Sequence, residues 1–320
     1  MMQLAIKQPL KKSSPALTVV EDSAAGPFLK WAGGKSQLLP VINQHYPKEL
    51  LNGEIETYIE PFAGGGAVFF DIQNRFSPSR SILIDTNPDL VLTYQVIQSN
   101  VDGLIRTLAS MEQAYHASTP EEQQAMFYEV REAFNANHIA KADNAEGLTR
   151  AAQNIFLNRT CFNGLFRVNS KGKFNVPFGQ HKKPTILFEK KLRAAAKALQ
   201  KAEVIYGDFT QTPSLVKPKT FIYYDPPYRP ISVTSHFKAY SKEAFNDDSQ
   251  CQLAAMFREI DQRGVKQMLS NSDPTNHGPD SFFDDLYQGF TITRVDATRF
   301  INAKGTGRGV VRELLIKNYE

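Results

Sequence analysis

The most constraining stretch of the 320-residue chain is Phe221-Ile222-Tyr223-Tyr224-Asp225-Pro226-Pro227-Tyr228. Its first four residues run without a polar break, the pattern of a strand buried on both faces of a parallel sheet. Two consecutive prolines cannot continue a central strand, because each lacks the N–H that the ladder needs. Asp225 to Tyr228 are therefore expected at the carboxyl end of a strand. Open α/β sheets bind their ligands at that end. The alternative is a tight Asp-Pro turn with Tyr228 packed as core.

The tetrad offers a carboxylate, a backbone carbonyl at Pro226 with rigid φ, and an aromatic face at Tyr228. An exocyclic amino group on a nucleobase is a poor nucleophile, since its lone pair is delocalised into the ring. Acceptors that hold its two N–H groups draw the nitrogen toward tetrahedral geometry, and Tyr228 can stack on the base. Asp-Pro-Pro-Tyr resembles the motif of the amino-group DNA methyltransferases, which use S-adenosylmethionine. That resemblance implies Asp225, Pro226, Pro227 and Tyr228 as catalytic residues.

Composition sets wider bounds. With 42% hydrophobic and 22% charged residues the chain reads as an ordinary soluble globular protein of one large or two small domains. Cys161 and Cys251 are too few for a disulfide framework, fit a reducing cytoplasm and lack metal-ligand spacing, so no metal is expected. The apolar run Ala16 to Val20 is too short for a signal-peptide core, and no run approaches a membrane span. The net charge is only +4, yet Arg159 to Lys201 holds eleven Lys and Arg against one acid, Glu189. A basic block in an otherwise acidic chain suggests a surface facing a polyanion. A solvated helix face accounts for Lys190 to Lys201, where alanines and lysines alternate in helical fashion. It accounts less well for Arg167 to Lys183, which is rich in glycine, proline and aromatic residues.

Residues 1–26 show no lasting periodicity and read as a mobile tail. Next comes Lys30-Trp31-Ala32-Gly33-Gly34-Lys35-Ser36. A phosphate-binding P-loop would need glycine at position 29, where Leu29 stands. The stretch instead resembles the N-terminal cofactor motif of Dam-type adenine methyltransferases, which implies that Trp31 and Lys35 contact S-adenosylmethionine. An indole face suits a sulfonium cation, and Lys35 suits a carboxylate. Glu56 to Glu60 is a predicted strand, followed by the turn Pro61-Phe62-Ala63-Gly64-Gly65-Gly66 and a helix from Ala67. Strand, glycine turn and helix bring a ligand close to backbone N–H groups, here at Phe62, Gly64 and Gly66. A second strand, Ser81 to Asp85, ends in an acid about 20 residues further on, suited to ribose hydroxyls or to capping the next helix. Val204 to Tyr206 is another strand before Asp208-Phe209; the family pattern implies that these two hold the cofactor's adenine, the alternative being a cap and a core ring.

Residues 88–158 carry apolar positions at helical spacing, with an acidic, loop-like stretch at 135–148. They are too long for a simple crossover and read as an inserted helical domain. Ser170 to Gly172 has hairpin-turn chemistry between two expected strands, and a basic aromatic hairpin can enter a DNA groove. Phe162-Asn163-Gly164-Leu165-Phe166-Arg167, then Phe174-Asn175-Val176-Pro177-Phe178-Gly179, is similar to the recognition hairpin of GATC-specific methyltransferases of the Dam and DpnM type (D12 class, alpha group). That resemblance implies DNA contacts at Lys30, Phe162, Asn163, Leu165, Arg167, Pro177 and Gln180. Arg167 and Lys30 would meet the guanines, Leu165 and Pro177 the thymine methyl, Phe162 the base stack and Asn163 the orphaned base. Gln180-His181 replaces an Arg-Tyr pair common in relatives, which weakens phosphate anchoring there. After Tyr228, residues 229–241 read as a lid. Gly264 to Asn271 reads as a strand. Thr298 to Gly309, with Arg299, Lys304 and Arg308, reads as a phosphate-contacting loop, and Val310 to Tyr319 closes the sheet.

The expected fold is α/β: a Rossmann-like mixed sheet of the class I S-adenosylmethionine methyltransferases at 27–87 and 189–320. A recognition domain is inserted at 88–188, helical with a basic hairpin at 160–183. The expected reaction is methyl transfer from S-adenosylmethionine to adenine N6 in duplex GATC after base extrusion. A cognate restriction nuclease is a second candidate partner, and the place of action is the cytoplasm, at the nucleoid when bound to DNA. The alternatives are an inactive DNA-binding protein and an amino-methyltransferase acting on cytosine N4 or on RNA.

Overall fold

The structure, a computed structural model, describes residues 24–136, 143–229, 245–298 and 310–320. The expected tail up to residue 23, the expected lid from residue 230 and the basic segment 299–309 with Arg299, Lys304 and Arg308 lie outside the described residues. One sheet contains β1 (Thr57–Glu60), β2 (Arg80–Asp85), β3 (Ala202–Tyr206), β4 (Thr220–Tyr224), β5 (Lys266–Ser272), β6 (Thr291–Thr298) and β7 (Val310–Lys317). Their order is β3-β2-β1-β4-β5-β7-β6. The first five pair in parallel, while β7 runs antiparallel to both β5 and β6. From β1 the chain adds β2 on one side and later β4 on the other. The winding therefore reverses between β1 and β4, and such a reversal leaves a crevice at the strands' carboxyl ends.

All of β4 is buried. Phe221 and Tyr223 join one apolar layer with Tyr58 and Leu83, while Ile222 and Tyr224 join the other with Ile59, Ile82 and Ile84. Burial on both faces explains the absence of polar alternation, and each such side chain contributes roughly 1.5–3 kcal/mol. The two tyrosine hydroxyls stay satisfied, Tyr223 with Ser270 Oγ at 2.8 Å and Tyr224 with Gln267 Oε1 at 2.8 Å.

Two short helices, α1 (Leu39–Ile42) and α2 (Lys48–Leu51), lead into β1, and α3 (Ala67–Arg75) follows it. The long α4 (Pro88–Ala117) breaks at Asn100, whose φ is −147° and ψ 51°. Asn100 Oδ1 accepts the Gly103 N–H at 3.1 Å, so the residue acts as the N-cap of the second half. The first half serves the sheet: Gln95 Nε2 donates to the Val204 carbonyl, and Gln98 Nε2 to those of Leu199 and Ala202. Against α4 pack α5 (Pro120–Ala136), α6 (Ala145–Thr160) and α7 (Glu189–Leu199). Among the described residues no helix is long and apolar enough to cross a membrane.

The expected hairpin at 160–183 differs from two continuous strands. The turn is present: Asn169 Oδ1 accepts the N–H groups of Lys171 and Lys173 at 2.9 and 3.1 Å. Its flanks meet only in two isolated bridges, Cys161 with Phe178 and Val168 with Phe174. One flank is interrupted by a 3₁₀ turn at Phe162–Gly164, where Asn163 has φ +59°. The other carries Pro177, which has no N–H to give. Asn135 of α5 substitutes for a neighbouring strand, its side chain accepting the Phe174 N–H at 2.7 Å and donating to the Phe174 carbonyl at 3.0 Å.

Candidate active site

A cavity of about 770 Å³ opens at the carboxyl ends of β1 and β4, within the size range of small-molecule sites. All four residues of the Asp-Pro-Pro-Tyr tetrad line it, as do Trp31, Lys35, Phe62, Gly64, Asp85, Asp208 and Phe209. Gly66 does not.

A chain of polar contacts fixes Asp225. Lys35 Nζ lies 2.5 Å from Asp225 Oδ1, donates to the Gly33 carbonyl at 3.0 Å and sits 4.8 Å from the Tyr228 ring centre. Ser270 Oγ donates to the same Asp225 oxygen at 3.1 Å. With its one hydrogen so used, Ser270 accepts from Tyr223. Both contacts to Asp225 fall on Oδ1, which leaves the other carboxylate oxygen outside these two bonds. Burial works against the Lys35 charge, but Asp225, with Tyr228 and Glu313, outweighs it and raises the lysine above its ordinary pKa. Burial raises the Asp225 carboxyl, and Lys35 and Ser270 offset only part of that. Behind the tetrad, Gln250 of the helix Asp247–Asp261 donates to the Pro227 carbonyl at 3.2 Å.

Glu60, the last residue of β1, also lines the cavity and is 3% exposed. It accepts the Tyr58 hydroxyl at 2.7 Å. Burial pushes its carboxyl up to about 8, with the Tyr58 bond opposing and the Asp225 charge reinforcing. Burial thus favours the protonated form of Glu60. Sequence reasoning passed over Glu60, Ser270 and Gln250. For Glu60 a signal existed, an acid at a strand end directly before the glycine turn.

The glycine turn is fastened to β2. Gly64 N–H donates to Asp85 Oδ2 at 2.9 Å, and Asn87 N–H donates to Asp85 Oδ1 at 2.8 Å. The cap of α4 falls to Asn87, whose side chain accepts from Asp89 and Leu90. Burial raises the Asp85 carboxyl, and its backbone donors oppose the shift. Carboxylate oxygens accept more than one bond each, so a ligand hydroxyl can still be taken. Gly64 has φ +46°, and a Cβ there would lie 3.1 Å from Trp31 Cδ1, so glycine lets the indole rest on the turn. Gly66, expected to approach a ligand, sits behind the turn instead. It is buried, and a Cβ would meet the Tyr94 hydroxyl at 2.5 Å. A left-handed φ of +67° and close packing against Tyr94 of α4 together require glycine at that position.

Phe62 stacks on Phe209 with ring centres 5.4 Å apart, and Phe245 meets both edge-on at 5.5 and 5.6 Å. Asp208 lines the cavity while its Oδ1 accepts the Thr210 N–H at 2.9 Å. Capping and cavity lining thus coexist in one residue.

The expected DNA-contacting residues lie apart from the cavity. Lys30, Phe162, Asn163, Arg167, Pro177 and Gln180 are exposed and Leu165 partly so. Phe162 is 53% exposed, unusual for a large apolar ring. The Arg167 guanidinium donates to the Asn175 side-chain oxygen at 2.8 Å and its carbonyl at 3.3 Å, which holds the fork across the turn.

Residues 31–301 match the family model described as D12 class N6 adenine-specific DNA methyltransferase. A Type II methyltransferase, M.MjaIII of Methanocaldococcus jannaschii, is 45% identical over 92% of this chain and 99% of its own length. The Type II methyltransferase M1.LlaDCHI of Lactococcus lactis is 34% identical over 92% and 95% of the two chains. A DNA adenine methylase of Escherichia coli is 33% identical over 90% and 93%. With the sheet order, the cavity and these matches in agreement, the chain belongs to the D12 class of N6 adenine-specific DNA methyltransferases.

Proposed function

We propose that this methyltransferase draws its methyl group from S-adenosylmethionine held in the cavity and delivers it to adenine N6 within duplex GATC. The observation that carries the reading is the meeting of the Asp-Pro-Pro-Tyr tetrad with Trp31, Asp85 and the Phe62–Phe209 wall around one cavity. These residues suit the cofactor. The aromatic wall accommodates an adenine, Asp85 a ribose and the Trp31 indole a sulfonium cation. Lys35, bonded to Asp225 and Gly33 and beside Tyr228, lines the cavity as the cation suited to a carboxylate.

When bound, the cofactor supplies an electrophilic methyl group. The target adenine leaves the stack, because its N6 is unreachable inside the duplex. The Asp225 carboxylate and the Pro226 carbonyl accept the two N6 hydrogens, and Tyr228 stacks on the ring. Lys35 and Ser270 fix Asp225 in advance, and such positioning is the larger part of the catalysis. Asp225 need not remove a proton beforehand, since the methylated nitrogen becomes acidic and loses it readily.

In this reading residues 27–87 and 189–320 perform the transfer and 88–188 the recognition. Arg167 reads a guanine bidentately and Lys30 the other guanine, while Leu165 and Pro177 meet the thymine methyl. Phe162 enters the stack beside Asn163, and Gln180 lies along the backbone. The Type II naming of two relatives supports a cognate nuclease as a partner of this chain. The protein would act in the cytoplasm on nucleoid DNA.

The test is plasmid methylation with labelled S-adenosylmethionine, followed by digestion with a nuclease that N6-methylated GATC blocks. Full protection with label on adenine is expected. Label at other sequences would sink the GATC assignment. No label at all would leave an inactive DNA-binding protein.

A further inference from the structure

Between the cavity and the DNA-facing turn lies the dipeptide Lys30-Trp31, and a single buried amide holds it. Asn158, near the end of α6, is 1% exposed. Its Oδ1 accepts the Lys30 N–H at 2.9 Å, and its Nδ2 donates to the Lys30 carbonyl at 2.9 Å and to the Gly164 carbonyl at 3.0 Å. Both amide hydrogens are thereby used, one on each segment. Asn158 pairs with Lys30 as a neighbouring strand would, and its second donor fixes the turn Phe162–Gly164.

The two segments also touch directly. Gly164 has φ +65°, and a Cβ there would fall 2.2 Å from Lys30 Cδ and 3.2 Å from the Asn158 carbonyl oxygen. One residue along, Trp31 lines the cavity and stacks on Phe166 of the ribbon, with ring centres 5.4 Å apart and planes at 24°. A chain of contacts therefore runs from the exposed Phe162-Asn163 turn through Asn158 and Lys30 to the cavity wall.

We propose that Asn158 is a positioning residue that couples target reading to methyl transfer. Its amide holds the DNA-facing turn and the Trp31 wall in one frame. A target that seats the turn correctly also sets the wall, and a wrong target that displaces the turn displaces the wall with it. The amide itself touches no reacting atom. The inference rests on the proposed function, since it needs a duplex read by the ribbon and a cofactor beside Trp31.

The test uses the full chain and Asn158→Asp, which keeps the volume and the acceptor for Lys30 N–H but replaces the Nδ2 donor with an oxygen that faces both carbonyls. Single-turnover methylation is measured on a GATC duplex and on duplexes with one base pair of the site changed. Affinity for S-adenosylhomocysteine without DNA is measured alongside, with thermal melting to check folding. The ratio of cognate to altered-site rates should fall at least about tenfold, the scale of one or two lost hydrogen bonds, while cofactor affinity stays nearly constant. A smaller change in that ratio, or an equal loss on every duplex together with weakened cofactor binding, overturns the proposal and leaves Asn158 a structural residue. Should Asn158→Asp not fold, Phe166→Leu loosens the ribbon from Trp31 with the amide in place and carries the same test. Failure of the unaltered protein to methylate GATC would instead remove the proposed function beneath it.

Discussion

The cavity and the recognition ribbon are built by opposite means. Around the cavity, Glu60 ends β1, Asp85 ends β2, Asp225 follows β4, and Ser270 backs Asp225 from β5. Sheet register sets the spacing of these groups, and burial shifts their proton affinities. The ribbon has no ladder; two bridges join its flanks, and side chains such as Asn135, Asn158 and Asn169, with the buried Phe174 and Val176, hold the rest. Chemistry that depends on fixed distances sits where the backbone is over-determined. In the proposed function, reading of a duplex falls to the ribbon, whose looser backbone pairing can yield as a target is fitted.

The hardest blow to that contrast would come at Asp225. Asp225→Ala should lower single-turnover methylation on the order of 10³-fold while DNA binding, by gel shift, is retained. It also leaves the Lys35 ammonium buried without its carboxylate, so the melting temperature should drop. A variant that methylates at near the normal rate would mean that the sheet end does not position the amine.

Glu60 sharpens the same side of the comparison through pH. Its folded pKa near 8 lies above its ordinary value of 4.5, so the folded state binds the proton more tightly than the unfolded chain. The stability from this proton is fully present below the unfolded value and is lost as pH rises through about 8. Glu60→Gln should therefore gain on the unaltered protein with rising pH, by up to about 1.4 kcal/mol per unit between roughly pH 5 and 8. Denaturant unfolding across that range measures it. Asp225 and Asp85, also raised, remain in both proteins, so the difference reports Glu60 together with its coupling to the Asp225 charge. Two parallel pH curves would show that Glu60 is not held as a neutral acid.

Much of the cavity can be read in the sequence because strand ends announce themselves. An apolar run closed by Asp225-Pro226-Pro227, and glycines followed by an acid at Asp85, each mark a place in a parallel sheet. Ser270, Gln250 and Asn158 escape because only tertiary register brings them to Asp225, Pro227 and Lys30. The β-branched residues Thr291, Ile292, Thr293 and Val295 do favour a strand and signal β6, which the reading missed. In the ribbon the reverse occurs: turn residues 170–172 suggest a full hairpin, but Pro177 and the left-handed Asn163 stop the pairing. A turn motif specifies a reversal of the chain, not the length of the ladder behind it.

On the ribbon side, Arg167→Ala should cost about 1–3 kcal/mol of discrimination at one guanine, with little change in rate at saturating DNA. Competition between GATC and a duplex altered at that guanine reads it directly. Unchanged preference would detach Arg167 from base reading and leave its bonds to Asn175 as its whole role.

The smallest effects divide the basic block itself. Leu192, Ala195, Ala196 and Leu199 bury one face of α7, so Lys190 and Lys197 stand on its solvent side. Lys171 and Lys173 stand on the ribbon's turn. Neutralising a ribbon lysine that meets phosphate should flatten the dependence of log K on log salt by about 0.9, through counterion release. Replacing Lys190 and Lys197 with glutamine should leave that slope unchanged and alter stability by no more than about 0.5 kcal/mol. Titration of a GATC duplex at several salt concentrations separates the two pairs. Equal slopes for both would mean that helix and ribbon present one continuous surface to DNA, and that recognition extends onto the flank of the catalytic sheet.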